Sequence, residues 1–150
     1  MKVILQKVKK ASVSVDGKIV GEIDKGYCLL VGVHKESTEA DAKYLAKKIV
    51  EARLFEDENE KLNLGLKDVN GSILSVSQFT LYADTKKGNR PSFTSAAGAE
   101  KANELYGKFN KFLREEGVTV ETGIFQTTME VNIVNDGPVT IVYEKLTTGK

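Results

Sequence analysis

The chain has 150 residues, of which 41% are hydrophobic, enough for one domain over residues 1–150 with a buried core. Twenty-two Lys and Arg against 21 Asp and Glu leave a formal net charge of +1, which excludes the strong cationic excess of proteins that coat long DNA or RNA. The single cysteine, Cys28, excludes an intramolecular disulfide, and the longest apolar run, YCLLVGV, is far too short to cross a bilayer as a helix.

The opening MKVILQKVKK interrupts its apolar residues with lysines and offers no small-residue cleavage site, so no signal peptide is expected and the chain reads as cytoplasmic, with no membrane partner. KVILQKVKKASVSV and KIVGEI read as strands joined by Asp16-Gly17, a dipeptide suited to tight hairpins. GYCLLVGV follows as a near-continuous apolar run and reads as a central strand, with Cys28 packed in its core. From Ser37 the pattern turns helical: Ser37 or Thr38 can cap, and Ala42, Leu45, Ala46 and Ile49 recur at three- and four-residue spacing until Ala52 or Leu54. EDENEK reads as a solvated loop.

After the Asn70-Gly71 turn, SVSQFTLYAD reads as a strand apolar on both faces. A second helix is expected from Ser95 or nearby, with Ala102, Leu105, Tyr106, Phe109, Phe112 and Leu113 as its apolar stripe and Gly117 as its stop. VTVETGIF, TTMEVNIV and VTIVYEKL supply three further strand candidates. Strands grouped around two separate helices predict an α+β fold: a largely antiparallel sheet or open β-barrel covered by helices.

Conventional hydrolytic machinery is missing. Hydroxyl and thiol nucleophiles generally need a base, and the one histidine, His34, sits at a strand end where a structural or surface role is expected. No HExxH, paired CxxC, Walker loop or GxGxxG occurs, so neither metal nor nucleotide cofactor is expected. An enzyme built this way must use positioned hydrogen bonds, backbone groups or functional groups of the substrate. Two segments invite such a role. On a regular strand Gln78 and Thr80 share a face, and burying either without a partner costs on the order of 1–3 kcal/mol. They are either satisfied by neighbouring backbone or form a polar ledge in a pocket. NDGPVT, residues 135–140, is either a hairpin turn or a place where glycine lets a second backbone or ligand approach and proline directs a carbonyl.

SQFT at residues 77–80 and NDGPVT at residues 135–140, together with ASVSVDGKIVGEI and RPSF, make the chain resemble the D-aminoacyl-tRNA deacylases along nearly its whole length. The resemblance implies hydrolysis of the ester joining a D-amino acid, or glycine, to the terminal adenosine of tRNA, without a cofactor. It implies a homodimer with composite active sites, in which Gly137 and Pro138, joined by a cis bond, reach into the partner's pocket, hold the α-amino group and leave no room for an L side chain. Backbone N–H groups around Phe79 and Thr80 would stabilise the oxyanion, with Ser77, Gln78 and Thr80 holding loop and substrate in register. Thr80 lacks an obvious base, so the ribose 2′-hydroxyl is expected to orient or activate the water.

Phe125 and Met129 would contact the adenine. Gln126-Thr127 stands here where the family commonly has a small Gly-Ala pair. Lys86, Lys87 and Arg90 are candidates for acceptor-stem phosphates or a solvated loop. Two other readings are a catalytically silent dimeric module that binds RNA ends and a general small-ester hydrolase.

Overall fold

The computed structural model describes residues 1–147. Its strands are β1 (Lys2–Val15), β2 (Lys18–Ile23), β3 (Gly26–Gly32), β4 (Phe55–Glu56), β5 (Leu62–Leu64), β6 (Ser72–Ser77), β7 (Thr119–Thr122) and β8 (Glu130–Glu144); its helices are α1 (Glu39–Glu51) and α2 (Ala99–Glu115). The long β1 organises the main sheet. It pairs antiparallel with β3 and β2 in succession along one edge and with β8 along the other. The order then continues β3-β6-β7 in parallel, each step made by a helical crossover, α1 and then α2.

The sheet curls nearly into a barrel, because β2 folds back against β6 and β7. A Cβ at Gly21 would lie 2.7 Å from the carbonyl oxygen of Thr122, so only glycine permits that approach. The arrangement is α+β, with antiparallel pairing through β1 and parallel pairing through β6. Two apolar clusters fill it. Leu45, Ile49, Leu105, Phe109 and Leu113 of the helices pack on Val3, Leu5, Tyr27, Leu29 and Ile73 of the sheet. Val8, Val13, Cys28, Leu74 and Val76 form the second cluster, and burial pushes the Cys28 thiol up to about 12.

Thr38 caps α1 through a reciprocal capping box: its Oγ1 accepts from the Asp41 N–H at 3.2 Å, and Asp41 Oδ2 accepts from the Thr38 N–H at 3.0 Å. The helix ends at Glu51 with Ala52 as its cap, and Gly117, at φ +95°, closes the end of α2. The start of α2 is later than the pattern suggests. Residues 96 and 97 are drawn against the exit of β3, with an antiparallel bridge between His34 and Ala96 and the Ala97 N–H donating to Val33. These tertiary bonds outcompete a helical turn there.

Two strand expectations change. The run after Asn70 leaves the sheet at Ser77: the Gln78 N–H makes the last bond to the β3 side, to Val31 at 2.8 Å, and Phe79–Tyr82 coils into a 3-10 turn. Nor is NDGPVT a hairpin, because β8 runs through it as one strand. Gln6 pairs with Thr140 and Val8 with Asn135, so residues 136–139 bulge out opposite Lys7.

Candidate active site

Where β6 ends, the chain must turn while still facing β3, and the 3-10 turn packs its Leu81 on Gly32, where a Cβ would come within 3.0 Å. This local geometry brings Ser77, Gln78, Phe79 and Thr80 to the mouth of a cleft of about 600 Å³. Residues 125–129 form the facing wall, Val31 and Val33 the apolar floor, and Ala97, Ala99 and Ala102 the side at the start of α2. Small side chains on that side keep the cleft open.

Gln78 and Thr80 satisfy each other: Gln78 Nε2 donates to Thr80 Oγ1 at 3.0 Å. The N–H groups of Phe79 and Thr80 open the turn ahead of its first internal bond, from the Leu81 N–H to the Gln78 carbonyl. A helical start leaves such donors without an acceptor in the turn itself. Among the described residues lining the cleft, none is a carboxylate, an imidazole or a cation. Thr80 therefore has no base among the lining residues. His34 is not in the lining: its Nδ1 accepts from the Glu36 N–H at 3.0 Å, its ring meets Tyr82 edge-on at 5.1 Å, and burial holds its pKa below the ordinary value.

The opposite wall is set by glycine and sulfur. A Cβ on Gly123 would sit 2.5 Å from Met129 Sδ, so the thioether fills the space a side chain would take. Phe125 packs 6.4 Å from the Tyr106 ring. The Tyr106 hydroxyl donates to the Ser75 carbonyl at 2.6 Å, and the Gly123 N–H donates to the same oxygen at 3.3 Å, so both walls hang from one carbonyl. Gln126 and Thr127 stand directly in the lining, with Thr127 Oγ1 donating to the Ile124 carbonyl at 2.8 Å.

The remaining candidate residues lie elsewhere. Gly137 and Pro138 are exposed on the β8 bulge, joined by a cis peptide bond, and do not line this chain's own cleft. Asn135 fastens the base of that bulge: its Oδ1 accepts from the Val139 N–H at 3.2 Å and its Nδ2 donates to Thr140 Oγ1 at 3.0 Å. Lys86, Lys87 and Arg90 line a separate cleft with Asp84 and Ser92. Sequence reasoning missed the contribution of Val31, Val33, Ala97, Ala99 and Ala102 to the lining. The clustering of small residues just before a helix was the available signal.

A family model described as D-Tyr-tRNA(Tyr) deacylase matches residues 4–144. The chain is 60% identical over 144 residues to a D-aminoacyl-tRNA deacylase of Staphylococcus haemolyticus, covering 96% of this chain and 95% of that protein. It is 57% identical over 145 residues to one of Exiguobacterium sibiricum, covering 97% and 100%. Among solved structures, one described as c-Myc DNA Unwinding Element Binding Protein superposes with a TM-score of 0.91 at 39% identity, over 97% of this chain and 99% of the other. A probable eukaryotic D-amino acid tRNA deacylase shares the fold, with a TM-score of 0.79 at 17% identity over 95% and 97%.

Proposed function

The chain belongs to the D-Tyr-tRNA(Tyr) deacylase family, and from that premise we propose how its residues carry out deacylation. It is an ester hydrolase of the D-aminoacyl-tRNA deacylase class. The finer reading is that it releases D-amino acids, and glycine, from the terminal adenosine of tRNA in the cytoplasm. The observation that carries the mechanism is a cleft with polar hydrogen-bonding groups and no ionisable side chain among its described lining residues.

In such a cleft the proton inventory must come from the substrate and water. The ester carbonyl lies against the start of the 3-10 turn, where the Phe79 and Thr80 N–H groups receive the developing oxyanion. Ser77 and the Gln78–Thr80 pair hold the turn in register. The ribose 2′-hydroxyl, adjacent to the ester, orients or activates the attacking water; as the acyl–oxygen bond breaks, the tRNA 3′-oxygen leaves and takes up the proton that the water gives up. The terminal adenine sits between Phe125 and Met129, narrowed by Gln126 and Thr127.

Chirality is read by a second copy of the chain. Gly137 and Pro138 of a partner would enter the cleft, accept the substrate's α-ammonium on backbone carbonyls and exclude an L side chain. Supporting this is their exposed position on the β8 bulge, outside their own cleft, on a strand that also exposes Val134 and Val142. Lys86, Lys87 and Arg90 would meet phosphates of the tRNA acceptor end.

The test compares hydrolysis of D-tyrosyl-tRNA and L-tyrosyl-tRNA by purified protein in the presence of a chelator. Multiple turnovers of the D ester alone are expected. Tight binding of charged tRNA with no turnover of either ester would replace the enzyme with an RNA-end binding module. Rapid hydrolysis of simple D-amino-acid esters would remove the 2′-hydroxyl from the mechanism.

A further inference from the structure

The hydrolytic chemistry uses the backbone of Phe79 and leaves its side chain unassigned. Phe79 is 56% exposed although it lines the cleft. It is not loose: Phe93 meets it edge to face, with centroids 4.9 Å apart and planes at 61°. Phe93 reaches this position on the return leg of a loop closed by paired backbone bonds, from the Asp84 N–H to the Ser92 carbonyl at 2.7 Å and from the Ser92 N–H to the Asp84 carbonyl at 3.0 Å. The same loop carries Lys86, Lys87 and Arg90. Asp84 is the one carboxylate among the described residues lining their cleft, and its Oδ1 is engaged by the Lys86 N–H at 3.0 Å.

An exposed aromatic side chain, held by a second ring on a loop that also carries three cations, offers the chemistry that binds single-stranded nucleic acid. Bases stack on the ring while phosphates meet the cations. A purely apolar partner would leave those cations unmatched. We propose that Phe79, buttressed by Phe93, is a stacking platform for an unpaired nucleotide preceding the terminal adenosine, with that nucleotide's phosphate directed to Lys86, Lys87 and Arg90. The platform rests on reading the adjoining cleft as the seat of an RNA 3′ end, and it assigns part of the affinity to nucleotides outside that cleft.

Two probes separate its contribution from the cleft's: a labelled, uncharged single-stranded RNA tetranucleotide ending in adenosine, and adenosine monophosphate alone. Phe79→Leu and Phe93→Leu retain the backbone donors and remove an aromatic ring. Each is expected to bind the tetranucleotide about tenfold more weakly, within the range for loss of one base–aromatic stack, while for Phe93→Leu, whose residue does not line the cleft, adenosine monophosphate affinity changes less than about twofold. Phe93→Tyr is expected to bind like the parent, with all three variants matching its circular dichroism. Unchanged tetranucleotide affinity overturns the proposal, as does an equal loss for both probes in Phe93→Leu. Dissociation of an oligomer by Phe79→Leu, seen by light scattering, also overturns it, because a second copy would then cover the ring. Ring-dependent tetranucleotide binding by a protein that fails to hydrolyse D-tyrosyl-tRNA would sink the deacylation mechanism and leave the platform standing.

Discussion

Replacing Thr80 with valine tests whether the threonine is a nucleophile or a strut. The change keeps the branched shape and exchanges the hydroxyl for a methyl, removing the acceptor of the 3.0 Å bond from Gln78 Nε2. A typical intramolecular hydrogen bond contributes about 0.5–1.5 kcal/mol net. The Gln78–Thr80 bond lies on the exposed side of the turn, where water can replace the lost partner and no orphaned group remains. The lower half of that range therefore applies, which converts to roughly a twofold to fivefold loss in kcat/KM. Removing a true nucleophile would be far more severe, on the order of a millionfold where such a group has been deleted from a hydroxyl-based hydrolase. Single-turnover hydrolysis of D-tyrosyl-tRNA, with intact-protein mass spectrometry at early times, separates the two outcomes. A loss beyond about a thousandfold in Thr80→Val, or an acyl adduct on Thr80 in the parent protein, would refute the strut and the substrate-assisted mechanism together.

Tyr106→Phe removes the hydroxyl tie to Ser75 but leaves that carbonyl its bond from Gly123, so a loss of about 1 kcal/mol is expected, seen as a lower urea midpoint at unchanged slope. Asp41 gives a pH dependence: burial raises its carboxyl pKa, but hydrogen bonds from Thr147 and Thr38 outweigh that and hold it below the ordinary value of 3.8. Its stabilisation is complete above that ordinary value and is lost as pH falls through the depressed folded value. Asp41→Asn should therefore melt lower than the parent at pH 7 and converge with it on acidification, and a gap that persists unchanged at low pH would contradict the assignment. Replacing Lys86 and Lys87 together with alanine should flatten the salt dependence of kcat/KM by a log–log slope of about 1.4–1.8, and an unchanged slope removes both from the RNA path.

Much of the architecture was legible because its signals are local. A capping residue at Ser37 or Thr38 opens α1, Gly117 stops α2, and the Asp16-Gly17 hairpin and the apolar run through Cys28 fall where their patterns place them. The departures share one cause. Ser77, Ala97 and Asn135 each sit where a neighbouring strand supplies or withdraws a hydrogen-bond partner, ending β6, delaying α2 and carrying β8 through a sequence that reads as a turn. Periodicity within one segment carries no information about such partners.

The same division runs through the site. SQFT and NDGPVT point to the family from the chain alone through resemblance, whereas their residues by themselves leave open whether Gln78 and Thr80 bond to neighbouring backbone and whether Gly137 and Pro138 make a simple turn. Only the tertiary structure decided that Gln78 and Thr80 bond to each other, that residues 125–129 close the cleft facing them, and that Gly137 and Pro138 lie outside it. Residue types determine which hydrogen bonds and charges are available. Their use depends on which groups distant in sequence meet across the curled sheet, and β1 sets that by pairing with β2, β3 and β8 at once.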